Sequence, residues 1–350
     1  RLNRIIPALL FGALLAPVSS HAQSAAPPQA AASARTAAAA TDEKKALTIE
    51  DYGRWRSVRS VAMSDDGRWV GFAYQKRRAD DTLFVRELDT GREFAIPRGT
   101  SPEFSDDARW VAYFVVPPYK EVEKLERERK PVPRKAELRD LRTGEVVAGW
   151  ETAGTIAFSK GSAALVMRRP KADPRARHDG ADMILRHLRR GVDELIGSVA
   201  QYEFNKPGSH LAYTVSTESK DGNGLYLLDL ATGARRPLDG GRFEYSRLTW
   251  DEEGRAVAAL RGADADTLEQ RENALVAYTG IGGRGEPAGF VFDPKTYDGF
   301  PEDSVLSERS ALTWSADLSR IFVGVKEQWH KPKERDEEPK ADVDIWHWAD

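Results

Sequence analysis

The stretch Met63-Ser64-Asp65-Asp66-Gly67-Arg68-Trp69-Val70-Gly71-Phe72 decides the fold, because its pattern recurs along the chain. Each copy joins an aromatic residue or Met, a Ser, Asn or Asp, a turn, and an alternating apolar run. The other copies open at Phe104-Ser105, Phe158-Ser159, Phe204-Asn205, Trp250-Asp251 and Trp314-Ser315. A Ser or Asp side chain can bond its own backbone two residues on, and Asp-Gly or Pro-Gly supplies a tight reversal, so each copy reads as a hairpin.

A second signal follows most copies. Leu83 to Gly91, Leu138 to Gly144 and Leu225 to Gly233 each alternate and close on Thr-Gly. A hairpin plus this run and its return strand makes about four strands per unit, the content of one propeller blade. The opening residues at 64, 105, 159, 205, 251 and 315 are 41, 54, 46, 46 and 64 residues apart. A β-sandwich would not repeat one aromatic-Ser-turn signature at such a period. The expected fold is therefore all-β, a propeller of four-stranded blades with six repeats visible and an incomplete ring.

Outward from the repeats, the chain changes character at both ends. Arg1 and Arg4 precede an apolar run from Ile5 to Val18, and Ser20-His21-Ala22 follows, which reads as a signal peptide over residues 1–22. Pro7 and Pro17 argue against an uncleaved anchor, since they interrupt a spanning helix. Residues 23–46 are rich in Ala and Pro with little to bury, as in a disordered linker. The propeller domain is expected over residues 47–350. Its last run, Asp344-Ile345-Trp346-His347-Trp348, stops without a turn or cap, so the domain reads as truncated at its C-terminal end. Export to the periplasm or the extracellular space follows, with no membrane attachment after cleavage.

Between the second hairpin and its outer strands, Tyr119 to Lys130 is charged with both signs and bracketed by Pro117-Pro118 and Pro131, which predicts a short projecting helix. Lys331 to Lys340 occupies the same place in the sixth repeat. Both read as solvated excursions.

The 52 Lys and Arg against 55 Asp and Glu leave −3, too balanced to hold nucleic acid by bulk charge. With no cysteine and six scattered histidines, thiolate chemistry is excluded and metal chemistry is poorly supplied. His178, His187, His330 and His347 suggest no metal set. The nearest approach to a Gly-x-Ser-x-Gly elbow is Gly99-Thr100-Ser101-Pro102-Glu103, which lacks the final glycine and the following helix, so Ser101 reads as a loop serine. Gly280-Ile281-Gly282-Gly283-Arg284-Gly285 fits a dinucleotide pattern on paper, but Glu286-Pro287 follows where a helix should begin, and it reads as an inter-strand loop. Trp69, Trp110, Trp250 and Trp314 fall in the hairpins and are expected in the core. No residue is assigned a catalytic, cofactor-binding or metal-binding role, and no cofactor is expected.

The opening Leu47-Thr48-Ile49-Glu50-Asp51-Tyr52-Gly53-Arg54-Trp55, followed by the Met63-Ser64-Asp65-Asp66-Gly67-Arg68 repeats, resembles bacterial secreted members of the prolyl oligopeptidase family of serine peptidases. Val291-Phe292-Asp293-Pro294 with Gly299-Phe300-Pro301, leading into Leu312-Thr313-Trp314-Ser315, is similar to a late part of that family's propeller. The resemblance implies a seven- or eight-bladed propeller that gates peptides for an α/β-hydrolase domain carrying the Ser, Asp and His. No position of this chain matches those catalytic motifs, so the chain alone is expected to be inactive. Its peptide substrates would be met through the absent hydrolase domain. The hairpin signature is shared with TolB-like propellers, which keeps a binding module for protein or polysaccharide as the alternative.

Overall fold

The repeated stretch folds through bonds that its own residues supply. A computed structural model of the chain describes residues 48–76 and 78–331. In it Ser64 Oγ accepts from Trp69 N at 2.9 Å and donates to Asp66 at 2.6 Å. Ser105 makes the same pair of bonds with Trp110 N and Asp107, and Ser315 with Arg320 N and Asp317. Ser159, Asn205 and Asp251 accept from Ala164 N, His210 N and Ala256 N. The opener therefore braces the hairpin five residues on, not two as its chemistry suggested. The bond two residues on belongs to the third residue: Asp66, Asp107 and Asp317 accept from the N–H groups of Arg68, Arg109 and Ser319. In all six copies the fourth residue is left-handed. It is Gly67, Gly208 and Gly254 in three, and Ala108, Ser162 and Leu318 in the others.

These hairpins nucleate antiparallel meanders. The first sheet runs β1 (Arg56–Met63), β2 (Trp69–Lys76), β3 (Thr82–Glu87) and β4 (Glu93–Pro97). The second runs β5 (Gly99–Phe104), β6 (Trp110–Val115), β7 (Lys135–Asp140) and β8 (Val146–Trp150), with α1 (Tyr119–Arg127) projecting between β6 and β7 as the charge pattern predicts. The third unit comprises β9 (Thr155–Phe158), β10 (Ala164–Arg168), β11 (Ala181–His187) and the first part of β12 (Val192–Phe204). From Val199 on, β12 instead pairs β13 (His210–Val215) and opens the fourth unit, completed by β14 (Gly224–Asp229) and β15 (Arg235–Gly240). The third and fourth units thus share one seven-stranded sheet, and the fifth unit is the sheet of β16 (Glu244–Trp250), β17 (Ala256–Ala263), β18 (Glu272–Thr279) and β19 (Ala288–Phe292). A sixth hairpin follows, in which β20 (Ser304–Leu306) and β21 (Thr313–Trp314) pair with β23 (Val325–Glu327) and β22 (Ile321–Phe322).

The Thr-Gly signals close the third strands. Gly91, Gly144 and Gly233 have φ of 73°, 81° and 77°, and their N–H groups bond the carbonyls of Glu87, Asp140 and Asp229. Gly280 to Gly285 connects β18 to β19, an inter-strand loop as expected. Ser101 lies within β5 and not in a loop: a β-bulge between Thr100 and Glu103 puts it at φ 50°. Trp69 and Trp110 are buried, whereas Trp250 and Trp314 are half-buried. The expected signal peptide and linker, the charged run from Lys331 to Lys340 beyond its first residue, and the strand expected at Asp344 to Trp348 lie outside the described residues.

No unit can bury its apolar faces alone, so each packs on its sequence neighbours. Leu83 and Val85 of the first sheet meet Val111, Tyr113 and Leu141 of the second. Trp110, Phe114 and Leu138 meet Leu165 and Met167 of the third, and Met183 and Leu185 meet Leu211 and Leu228 of the fourth. The series continues through Leu227 with Val257, and Leu260 with Leu306. The stack is not flat. Lys160 Nζ, in the turn of the third unit, lies 3.0 Å from Asp106 of the second and 3.3 Å from Asp65 of the first. Parallel sheets about 10 Å apart would hold the first and third turns roughly 20 Å from each other. The three turns therefore lie closer together than straight stacking allows.

Candidate functional site

The first strands of the third, fourth and fifth units meet at one place. Thr155 of β9, Gln201 and Tyr202 of β12, Arg247 to Thr249 of β16 and Leu312 border one cleft of about 460 Å³, which Arg168 enters from the end of β10. A neighbouring cleft of about 430 Å³ shares Thr155 and adds Glu103 and Arg134. Four units thus contribute to one cleft, as only a converging arrangement allows.

The side chains here are held by bonds across units. Arg168 donates through Nε to the Val199 carbonyl at 2.9 Å and through Nη2 to the Asp179 carbonyl at 2.7 Å. Burial holds its guanidinium below the ordinary arginine range. Arg247 donates to the Glu308 carbonyl, and Arg134 to that of Gly154. The Tyr202 hydroxyl meets Thr155 Oγ1 at 2.9 Å, and burial raises its pKa. Glu103 Oε1 accepts from Phe158 N at 3.1 Å. Burial nevertheless raises this carboxyl above the usual range, because one backbone bond offsets only part of the desolvation.

None of this was visible in the sequence motifs. Arg247 sits at φ 56° in the bulge of β16, four residues before its opener, as Ser60 and Ser101 do in their strands. The available signal was the charge that ends the apolar run Ala164-Leu165-Val166-Met167-Arg168.

A larger cleft, about 860 Å³, lies between the exposed aromatics Tyr52 and Trp55, the ends of β1 and β2, and α1. Its charges alternate, with Lys76 and Arg98 beside Asp80 and Asp81, and the carboxylate of Asp80 already accepts from Tyr119 N at 2.6 Å.

Among the described residues nucleophilic chemistry finds no assembled constellation. Among the described residues the one serine–histidine contact joins neighbours in sequence, Ser209 Oγ and His210 Nδ1 at 2.9 Å. Ser209 Oγ also accepts from Asn205 Nδ2. Asp229, across the strand pair from His210, spends its Oδ1 on the N–H groups of Ala231 and Thr232. This is turn bracing, not a base oriented by an acid. His187 meets Glu194 at 3.4 Å on an outer strand pair. No group of three or more His, Asp or Glu is arranged to hold a metal among the described residues.

No family model and no curated protein matches the chain. Solved structures similar to it include the β-propeller domain of the Trilobed protease from Pyrococcus furiosus, at 12% identity, covering 80% of this chain and 83% of that one with a TM-score of 0.39. TolB from Acinetobacter baumannii aligns at 13% identity over 65% of this chain and 53% of its own, with a TM-score of 0.30. An acylaminoacyl peptidase from Pyrococcus horikoshii aligns at 10% identity over 76% and 48%, with a TM-score of 0.36. The chain spans about half the length of the last two proteins.

Proposed function

We propose that this chain is the β-propeller part of an exported serine peptidase of the prolyl oligopeptidase kind, admitting short or unfolded peptides and excluding folded proteins. It performs no chemistry itself. The observation that carries the propeller reading is the Lys160 bridge to Asp65 and Asp106, which draws three successive turns to one point. Support for the peptidase reading comes from the resemblance at Leu47 to Trp55 and at Val291 to Pro301.

The ring is completed by further sheets of the same repeat. Alternation along β2 and β3 turns Phe72, Tyr74 and Phe84 away from the second unit, where their rings cluster at 5.4–5.6 Å. Val58 and Met63 beside them are 56% and 60% exposed. Inside the series the equivalent faces are covered by a neighbouring sheet. The face of the first sheet is the seat for the blade that closes the ring.

A fluorophosphonate probe and chromogenic prolyl, alanyl and lysyl peptides test the non-catalytic role on the full chain. Neither labelling nor turnover is expected. Stoichiometric labelling of Ser209, or of any serine here, sinks it. The reading frame past Asp350 should encode a Gly-x-Ser-x-Gly elbow followed by Asp and His in hydrolase order. A stop codon after one or two more blades would instead favour a TolB-like binding module.

A further inference from the structure

The lining of the cleft bordered by β9, β12 and β16 holds two arginines and no carboxylate, although Glu103 of the neighbouring cleft acts on Tyr202 from a distance. The two are Arg168 and Arg247, and neither has a carboxylate within 4.0 Å among the described residues. Both are pinned at one edge by backbone carbonyls of the following unit, Val199 for Arg168 and Glu308 for Arg247. A guanidinium has more N–H donors than these carbonyls use, and pinning fixes the direction of those that remain. Asp179 acts on Arg168 only from beyond ion-pair distance, and a half-buried cation so weakly compensated is costly, a cost that persists where a ligand meets it. The left-handed backbone at Arg247 adds strain in the same place.

The rest of the lining narrows the ligand. About 460 Å³ is more than an inorganic anion fills. Leu248 and Leu312 supply an aliphatic wall next to Arg247. The Tyr202 ring packs against the core between the third and fourth units, and its hydroxyl meets Thr155 of the cleft lining. We propose that this cleft binds the carboxylate of a short peptide, with Arg168 and Arg247 as charged donors and Tyr202 as a neutral one. The proposal rests on the peptide-gating reading and gives it a preference: acidic peptides or free C-termini are held at the propeller's inner wall.

Calorimetry on the full chain tests this with acetyl-Ala-Ala-Ala, its C-terminal amide, succinate and tri-galacturonate. The free acid should bind at least tenfold more tightly than the amide, about 1.4 kcal/mol. Arg168→Gln and Arg247→Gln should each remove most of that difference between acid and amide, and Arg168→Lys should restore only part of it. Tyr202→Phe, which keeps the packed ring, should weaken the acid severalfold even if the arginine variants unfold. Equal binding of acid and amide, unmoved by Tyr202→Phe, overturns the carboxylate site and leaves peptide gating standing. Binding of tri-galacturonate with neither peptide overturns both. Succinate as tight as the peptide acid overturns the peptide assignment.

Discussion

Replacing one hydroxyl in two copies of the same turn separates the structural account from a merely repetitive one. Ser105 is 1% exposed, and its Oγ is the acceptor for the N–H of buried Trp110 at 2.9 Å. Ser105→Ala leaves that N–H unpaired where water cannot replace the bond, a cost of about 1–3 kcal/mol. Ser315 makes the same bond to Arg320 N at 2.9 Å, but in solvent. Water substitutes there, so Ser315→Ala should cost less than about 0.5 kcal/mol. At roughly 2–4 °C per kcal/mol for a domain of this size, Ser105→Ala should lower Tm by about 2–12 °C and Ser315→Ala by no more than about 2 °C. Circular dichroism melts at fixed scan rate, with urea titrations beside them, read both variants. Equal shifts, or a larger one for Ser315→Ala, would refute the argument that burial sets the value of the opener.

Further outcomes follow from the same turns and from the inner wall. Gly67 has φ +70° with open space where a Cβ would stand, so Gly67→Ala should cost about 1–2 kcal/mol of backbone strain alone, and Ala108→Gly should gain up to about 1 kcal/mol in chemical denaturation. Asp317 accepts from Ser315 and Ser319, which pushes its carboxyl to about 2. A depressed carboxyl contributes stability above its unfolded pKa, near 3.8, and loses it as pH falls through about 2, and an NMR titration should find Ser315→Ala moving it upward. Glu103 has the opposite sign. Its pKa is raised by burial, so the folded state holds the proton more tightly and stability falls as pH rises from the unfolded value near 4.5 through the folded one. Glu103→Gln keeps an oxygen for Phe158 N and should flatten that fall, leaving the variant at least as stable as the parent at pH 7, which urea titrations at pH 4 and 7 would check.

The parts of the fold that were legible are those written in local chemistry. Ser64, Asp66 and Gly67 act within five residues, so hairpins, repeat period and the Thr-Gly returns could be read directly. The left-handed fourth residue was legible only as glycine. Ala108, Ser162 and Leu318 adopt it because the opener's bonds over-determine the turn. The inner-strand bulges at Ser60, Ser101 and Arg247 leave no composition signal. The cleft was invisible for a different reason: Arg168 and Arg247 are fixed by carbonyls 31 and 61 residues away, and backbone acceptors carry no side-chain signature. The helix after Pro118 succeeded because bracketing prolines and opposite charges are again local.

An experimental density map of the full chain at side-chain resolution tests the central claim most directly. The account predicts β1, β5, β9, the second part of β12, and β16 side by side about a common axis, with Arg168 and Arg247 facing it and Lys160 between Asp65 and Asp106. Five units stacked in a straight rod, with the turns of the first and third units roughly 20 Å apart, would contradict it.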